Sequence, residues 1–163
     1  MQIFIIDEVP ELAATMLCDA HLRKMCLETA QILSSVLYLK HLEPLSGMPK
    51  PYNIHHPVIT AVDNSCKINW LLRHNLSLHE EYCRRFGRMH AYFSLCGKYR
   101  TLLFEPEVVI TPQELTFARN FKDISIPEPD IIKAYRIYYR YKKSVMKNWH
   151  YTNSAEPGWL TAF

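Results

Sequence analysis

The chain is 163 residues long, 48% of them hydrophobic and 12% aromatic, and its formal net charge is +3 at pH 7. These values exclude a disordered chain and predict one domain, residues 1–163, with a buried core. The charge is too small to indicate nucleic-acid binding by itself. No stretch approaches the roughly 18 apolar residues of a membrane helix, and the first residues lack the basic region of a signal peptide. We therefore expect a cytoplasmic protein that does not contact a membrane.

Apolar periodicity and the placement of proline and glycine predict an all-α fold with one short extended segment at the N terminus. Proline at position 10 is typical of a helix start, and Gly87 is typical of a helix end. In chain order we expect an extended segment at residues 3–6, a helix at about 10–39, a proline-rich loop at 43–57, a helix at about 63–86, a shorter helix near 90–96, room for a helix at 112–121 and a last helix at about 129–149.

The five cysteines are odd in number and show no C-x-x-C spacing. This pattern argues against a disulfide framework and against a zinc knuckle. We predict buried thiols in a reducing compartment, with no metal site and no cofactor.

A polar stripe on the first long helix consists of His21, Lys24, Glu28 and Gln31. At roughly 100° per residue these side chains fall within an arc of about 80°. The stripe could be a solvated face with a Lys–Glu pair, but lysine four residues before glutamate is the weaker order for such a pair. Because helix stability alone does not explain the stripe, we interpret it as a candidate site beside the core.

Two adjacent histidines, His55 and His56, end the predicted loop and precede Pro57. Adjacent histidines can ligate a metal, but no Asp, Glu or Cys stands nearby at a supporting spacing. Because proline restricts the preceding residue to extended geometry, the His56 imidazole would point in a fixed direction. We interpret the pair as phosphate or base contacts, and we expect His56 to share one pocket with the polar stripe.

The second long helix carries a polar arc that includes Asn69, Arg73, Arg84 and Arg88. No Asp or Glu occurs between residues 84 and 104, so the end of this helix is locally basic. Two interpretations remain open, a solvated surface favoured by the helix dipole and a phosphate-binding surface. In the second interpretation these four side chains contact the substrate.

The last helix places Arg136, Arg140 and Lys143 beside Tyr135 and Tyr138. Basic side chains follow a phosphate backbone and aromatic rings stack on bases, so this composition indicates a nucleic-acid partner. The alternative for the aromatic stripe, and for Tyr135 in particular, is a place in the core.

Three parts of the sequence together resemble the pyrimidine-dimer DNA glycosylase/AP lyase family of the endonuclease V type found in phages. They are residues 11–13 with His21 and Glu28, residues 52–57 with 80–85, and residues 135–139. The resemblance implies a compact all-α protein that flips a nucleotide out of the duplex. Such a protein attacks C1′ of that nucleotide with its N-terminal α-amine and uses a glutamate of the first helix.

By this resemblance the glutamate is Glu28, and His21 helps to hold the substrate. The amine would belong to Met1, because a residue as large as Gln2 should prevent removal of the initiator methionine. An unprotonated α-amine can form a Schiff base with the sugar, and Glu28 could then shuttle the proton.

The chain departs from the family pattern at three positions. Gln2 replaces a small residue, and Leu27 and Gln31 stand where the family has arginines. Two other functions therefore stay open. One is a phage nucleic-acid-binding accessory protein that lacks the lyase chemistry. The other is a metal-dependent nucleotide or phosphoester hydrolase built around His21, His55 and His56.

Overall fold

The computed structural model describes residues 1–42, 46–49, 53–122 and 124–161. Across these residues it contains seven α-helices and no strand, so the predicted all-α fold is confirmed. The helices are α1 Pro10–Thr15, α2 Asp19–Leu39, α3 Pro57–Thr60, α4 Ser65–Phe86, α5 Cys96–Leu103, α6 Ile131–Val145 and α7 Gly158–Thr161, with single 3₁₀ turns at Phe93–Leu95 and Pro112–Glu114. Helix α4 packs against α1, α2 and α5. None of the helices in the described ranges is long and apolar enough to cross a membrane.

The N-terminal segment of residues 3–6, predicted to be extended, adopts no helix, and its four apolar side chains are each at most 3% exposed. It lies between α2 and α6. The Gln2 backbone N–H donates to Glu28 Oε2 on α2 at 2.9 Å, and the Phe4 ring lies 5.2 Å from the Tyr139 ring on α6. The start of the chain is therefore part of the core.

The prediction of one continuous helix over residues 10–39 is wrong, because the chain breaks between α1 and α2. Backbone groups freed at the break find tertiary partners. The Cys18 N–H donates to the Tyr139 hydroxyl at 2.7 Å, and the Arg85 guanidinium donates to the carbonyls of Leu17 and Thr15, both at 2.7 Å. These partners lie more than 60 residues away in sequence, so helical periodicity could not reveal the break.

Arg85 is the centre of a buried ion cluster that holds the break in place. Its side chain donates to Glu81 at 2.6 Å and to Asp19 at 3.0 Å, and Arg85 is only 2% exposed. Burial opposes ionisation of Asp19, but hydrogen bonds from Thr152 and Arg85 outweigh it and lower the pKa of this carboxyl. Desolvation likewise opposes ionisation of Glu81, and hydrogen bonds from arginine lower its pKa. The cluster joins α1, α2 and α4.

Two further predicted helices differ from the structure. The helix expected near 90–96 begins later, as α5, and its buried residues Cys96, Tyr99 and Leu103 follow the i, i+3, i+7 spacing of one helical face. The helix considered for residues 112–121 is not formed, and this region contains only the 3₁₀ turn Pro112–Glu114. Leu115 and Phe117 are both buried although they are two residues apart, a spacing that a single helix face cannot satisfy.

The last helix is shorter than expected. The Asp130 carboxylate caps α6 by accepting from the backbone N–H groups of Ile132 at 2.9 Å and Lys133 at 3.0 Å, and the helix ends at Val145. In the loop predicted at 43–57, residues 43–45 and 50–52, including Tyr52, lie outside the described residues.

Candidate active site

A terminal amine and a carboxylate meet between the first residue and α2. The Met1 nitrogen lies 3.9 Å from Glu28 Oε1, and Glu28 is 8% exposed. The other carboxylate oxygen accepts the Gln2 backbone N–H at 2.9 Å. Asn120 Nδ2 donates to the Met1 carbonyl at 2.9 Å, which fixes the first residue from the opposite side. The structure thus places the terminal amine beside a buried carboxylate.

A cavity of about 300 Å³ opens at this amine. Its charged groups are basic: Lys24, Lys122 and Lys142 all line it together with the terminal residue Met1. Lys24 Nζ also lies 3.5 Å from Glu28 Oε1. The remaining lining residues are Gln2, Phe4, Ala20, His21, Asn120, Tyr138 and Met146. Three lysines around one cavity favour an anionic ligand.

His21 lines the cavity as a neutral ring. It packs against Phe4, with ring centroids 4.5 Å apart, and against Trp149, with centroids 5.5 Å apart. Desolvation, with a smaller contribution from the positive charge of Lys24, lowers the pKa of His21 to about 3. At neutral pH this imidazole therefore offers a hydrogen bond or a stacking surface and no positive charge.

His56 lies within electrostatic reach of the amine and the carboxylate. Desolvation lowers its pKa, the positive charges of the terminal amine and Lys122 lower it further, and the charge of Glu28 acts in the opposite direction. Its Nδ1 accepts the Val58 backbone N–H at 3.2 Å, so in the neutral ring the proton is on Nε2. His56 does not line the cavity at Met1, and neither does Glu28, so the expected common pocket contains only His21 and Lys24 of the predicted set.

The Gln2 side chain is an unusual component of the cavity wall. Gln2 is 7% exposed, and neither its Nε2 nor its Oε1 has a hydrogen-bond partner among the described residues. A buried carboxamide without partners costs free energy, so an unsatisfied amide at a cavity points to a ligand contact.

Three predicted substrate-binding residues near this region lie outside the cavity lining. Gln31 is half-buried on α2, one turn beyond Glu28. His55 is exposed, and its backbone N–H donates to Asn53 Oδ1 at 3.0 Å. Arg88 is exposed just after Gly87, the residue that ends α4 with a φ of 63°.

On α4 the predicted substrate contacts already have protein partners. Asn69 Nδ2 donates to the Glu105 carbonyl at 2.7 Å. Arg73 donates to both carboxylate oxygens of Glu11, at 2.8 and 2.9 Å. Arg84 forms two hydrogen bonds with Glu81, both at 2.7 Å, and also binds the Asn153 carbonyl. None of these three residues lines the cavity at Met1.

The basic side chains of α6 bind the two ends of the chain. Arg136 donates to the Ile6 carbonyl at 2.8 Å and to Asp7 at 3.0 Å. Arg140 donates to the Trp159 carbonyl, with 3.1 Å from its Nε, and Lys143 forms an ion pair with Glu156.

The two predicted tyrosines of α6 have different surroundings. Tyr135 is fully buried, and its hydroxyl donates to the Ala118 carbonyl at 2.7 Å. Tyr138 lines the cavity, and its ring stacks at 6.3 Å from that of Phe4. Tyr138 is thus the α6 aromatic that faces the amine site.

Seven residues of the cavity wall were not predicted as site residues: Gln2, Phe4, Ala20, Asn120, Lys122, Lys142 and Met146. Asn120 and Lys122 belong to an irregular segment without periodicity, so no pattern marked them. Lys142 did carry a signal, because it lies one helical turn after Tyr138 on α6 and therefore shares its face.

Residues 1–92, more than half of the chain, match the pyrimidine dimer DNA glycosylase family. Neither the comparison with curated proteins nor the comparison with solved structures gives a match. The fold is all-helical and its terminal amine faces a buried carboxylate. The chain belongs to the pyrimidine dimer DNA glycosylase family, and the matched residues include Met1, Glu28 and His56.

Proposed function

We propose that the protein is a DNA glycosylase and AP lyase that acts on damaged or modified bases, with the Met1 amine as nucleophile and Glu28 as the proton-transfer group. The observation that carries this proposal is the 3.9 Å separation between the Met1 nitrogen and Glu28 Oε1, inside the part of the chain that matches the family.

The reaction begins when the Glu28 carboxylate accepts a proton from the terminal ammonium group. The nitrogen lone pair then forms a bond to C1′, while the C1′–base bond breaks and the base leaves with the electrons of that bond. The base takes the proton held by Glu28, which restores the carboxylate. Opening of the sugar ring gives a Schiff base. Loss of a C2′ proton and departure of the 3′ phosphate cut the strand. Proton transfer by a positioned carboxylate is worth about 10²- to 10⁴-fold in rate.

The cavity supplies the substrate contacts of this proposal. Lys24, Lys122 and Lys142 neutralise phosphates on either side of the reacting sugar. Phe4 and Tyr138 offer ring faces for stacking, the interaction that holds a base outside the duplex. This arrangement favours DNA as the partner.

In this proposal the Gln2 side chain contacts the base. Its carboxamide offers one donor and one acceptor side by side, which matches the edge of a nucleobase. Neither group has a hydrogen-bond partner in the described part of the chain, and Gln2 lines the cavity beside the attacking amine. The residue that departs from the family's small side chain thereby becomes a contact that selects the base.

The other two functions have less support. In a binding accessory without chemistry, the amine and Glu28 would have no reason to be adjacent. In a metal-dependent hydrolase, His21, His55 and His56 would share a metal. The one cluster of metal-compatible side chains within the described ranges contains none of these three.

Borohydride trapping on DNA with an abasic site tests the proposal. The untagged protein, with Met1 verified by mass spectrometry as its first residue, should form a covalent adduct with DNA. A protein extended by an N-terminal tag should bind DNA without forming the adduct, because its α-amine is displaced. Equal trapping by both proteins would assign the nucleophile to a lysine such as Lys24. Binding without any trapping would replace the enzyme with the accessory protein.

A further inference from the structure

A second cluster of reactive side chains lies in the core, away from the amine site. Cys26 on α2, His79 on α4 and His90 in the segment before α5 place one ligand-capable atom each within 4.8 Å of one another. Cys26 and His79 are fully buried, and His90 is partly exposed. None of the three lines the cavity at Met1.

The protonation of His79 is set by its hydrogen bond. Its Nδ1 donates to the Asn75 carbonyl at 2.8 Å, so the neutral ring has its lone pair on Nε2. That Nε2 is buried and has no hydrogen-bond partner among the described residues. Histidines that bind metals usually donate their other ring N–H to a carbonyl or carboxylate, as His79 does here. The unpaired nitrogen therefore has the geometry of a metal ligand.

We propose that Cys26, His79 and His90 bind a Zn²⁺ ion. The Cys83 sulfur does not lie within 4.8 Å of all three ligand atoms, and it would move in as the fourth ligand when the ion binds. Cys83 follows His79 by one helical turn on the same face of α4. Cys96 is the less suitable cysteine, because its sulfur lies 3.6 Å from His79 Nδ1 and donates to Asn75 Oδ1 at 3.2 Å. Two cysteines and two histidines form a common closed zinc site.

Charge and distance fit such a site. Two thiolates and two neutral imidazoles balance the charge of Zn²⁺, and each thiol releases one proton to solvent as the ion binds. Burial raises the pKa of Cys26, so its thiol keeps its proton until an ion displaces it. Tetrahedral zinc ligands lie about 3.5 Å apart, as follows from Zn–S and Zn–N bond lengths. The three ligand atoms lie within 4.8 Å of one another, so their separations need to shrink by no more than about 1.3 Å when the ion enters.

A filled site would join α2, α4 and the segment before α5. Cys26 stands two residues before Glu28, so the ion would also anchor the part of α2 that carries the carboxylate. This site has no local motif such as C-x-x-C, because its ligands come from three separate parts of the chain.

Metal titration of the reduced full-length protein tests the proposal. The protein is stripped with a chelator and titrated with Zn²⁺ or Co²⁺. We expect one equivalent per chain, a thiolate-to-cobalt charge-transfer band and a higher melting temperature with metal. Absence of stoichiometric binding would overturn the proposal.

Variants assign the ligands. Cys26→Ser and His90→Ala should lose the bound equivalent, while Cys66→Ser, a buried cysteine outside the cluster, should keep it. His90 is partly exposed between helices, so His90→Ala should retain the helical circular dichroism of the parent protein. Full binding by folded His90→Ala and Cys26→Ser would contradict the site. An unchanged cobalt spectrum in Cys83→Ser would contradict the fourth ligand.

Discussion

The Gln2 backbone N–H donates a 2.9 Å hydrogen bond to Glu28 Oε2, while Oε1 of the same carboxylate faces the Met1 nitrogen. One side chain therefore both holds the first peptide unit and lies beside the terminal amine. Catalytic groups depend on being held in place before reaction, and in the proposed mechanism the Gln2 backbone holds Glu28 in this way.

Replacing Glu28 by glutamine should separate chemistry from folding. The amide oxygen of Glu28→Gln can still accept the Gln2 N–H, so stability and DNA affinity should stay close to those of the parent. The amide cannot accept a proton, so single-turnover cleavage at an abasic site should slow by about 10²- to 10⁴-fold. Glu107→Gln, at an exposed position, is the control and should react at the parent rate. Parent-like cleavage by Glu28→Gln would remove this residue from the mechanism.

Gln2→Met should slow base excision but leave borohydride trapping on abasic DNA nearly unchanged. An abasic site has no base for the carboxamide to contact, whereas excision depends on that contact. Methionine is similar in size and keeps the initiator methionine in place. The two rates are measured on the same DNA sequence with and without the modified base. Equal loss on both substrates would show that Gln2 only shapes the N terminus.

The salt dependence of DNA binding should trace to the cavity lysines. Lys122→Ala and Lys142→Ala should each weaken binding and reduce the slope of log K against log salt by about 0.9 per lost phosphate contact. Arg140→Ala and Lys143→Ala serve as controls, because these side chains already pair with Trp159 and Glu156. If the slope fell only in the two control variants, the DNA-binding surface would instead be assigned to the side chains of Arg140 and Lys143 on α6.

Stability should fall as the pH drops below about 6.5, in part because of buried neutral histidines. Burial lowers the pKa of His74 to about 4 from an ordinary value of 6.5. Below 6.5 the unfolded chain takes up this proton first, so the contribution is complete above pH 6.5 and is lost as the pH falls towards 4. His74→Gln should reduce the pH slope of the unfolding free energy by about 1 kcal/mol per pH unit.

Urea unfolding of His74→Gln between pH 7 and pH 4.5 gives that slope. Ser77→Ala, at a neighbouring site on α4 without an ionisable group, is the control and should keep the parent slope. The same slope in His74→Gln and the parent would mean that His74 does not govern the acid sensitivity.

Arg85 should matter far more for stability than its neighbour Arg84. Arg85→Met leaves the buried Asp19 without its arginine partner and leaves Glu81 paired with Arg84 alone, which should cost about 3 to 5 kcal/mol of unfolding free energy. Arg84 is half-exposed, so Arg84→Met should cost at most about 1 kcal/mol. Chemical denaturation of both variants measures the difference. Equal costs would mean that the ion cluster does not hold the break between α1 and α2.

Features that depend on neighbouring residues could be predicted from the sequence, whereas features that depend on tertiary contacts could not. His21, Lys24 and Glu28 lie at helical spacing, so their common stripe followed from periodicity alone. The break before α2 depends on Tyr139 and Arg85, which are distant in sequence. No local pattern contains such partners.

Only part of the candidate site could be predicted from the sequence. Met1 was predicted as a site residue only from the family resemblance, because no periodicity relates a chain terminus to a helix. The arginines of α6 looked like a phosphate-binding row, but Arg136 binds the Ile6 carbonyl and Asp7. Composition gives the charge of a side chain and not whether the protein already uses it.

The cavity has two origins in the chain. Its amine and Glu28 come from residues 1–92, which match the family, whereas Asn120, Lys122, Tyr138 and Lys142 come from the remainder. The wall of the cavity is therefore shared between the two parts, because six of its eleven lining residues lie in residues 1–92 and five lie after them. Exchange of the second part would replace nearly half of the wall, including two of its three lysines, and would leave the amine and Glu28 unchanged.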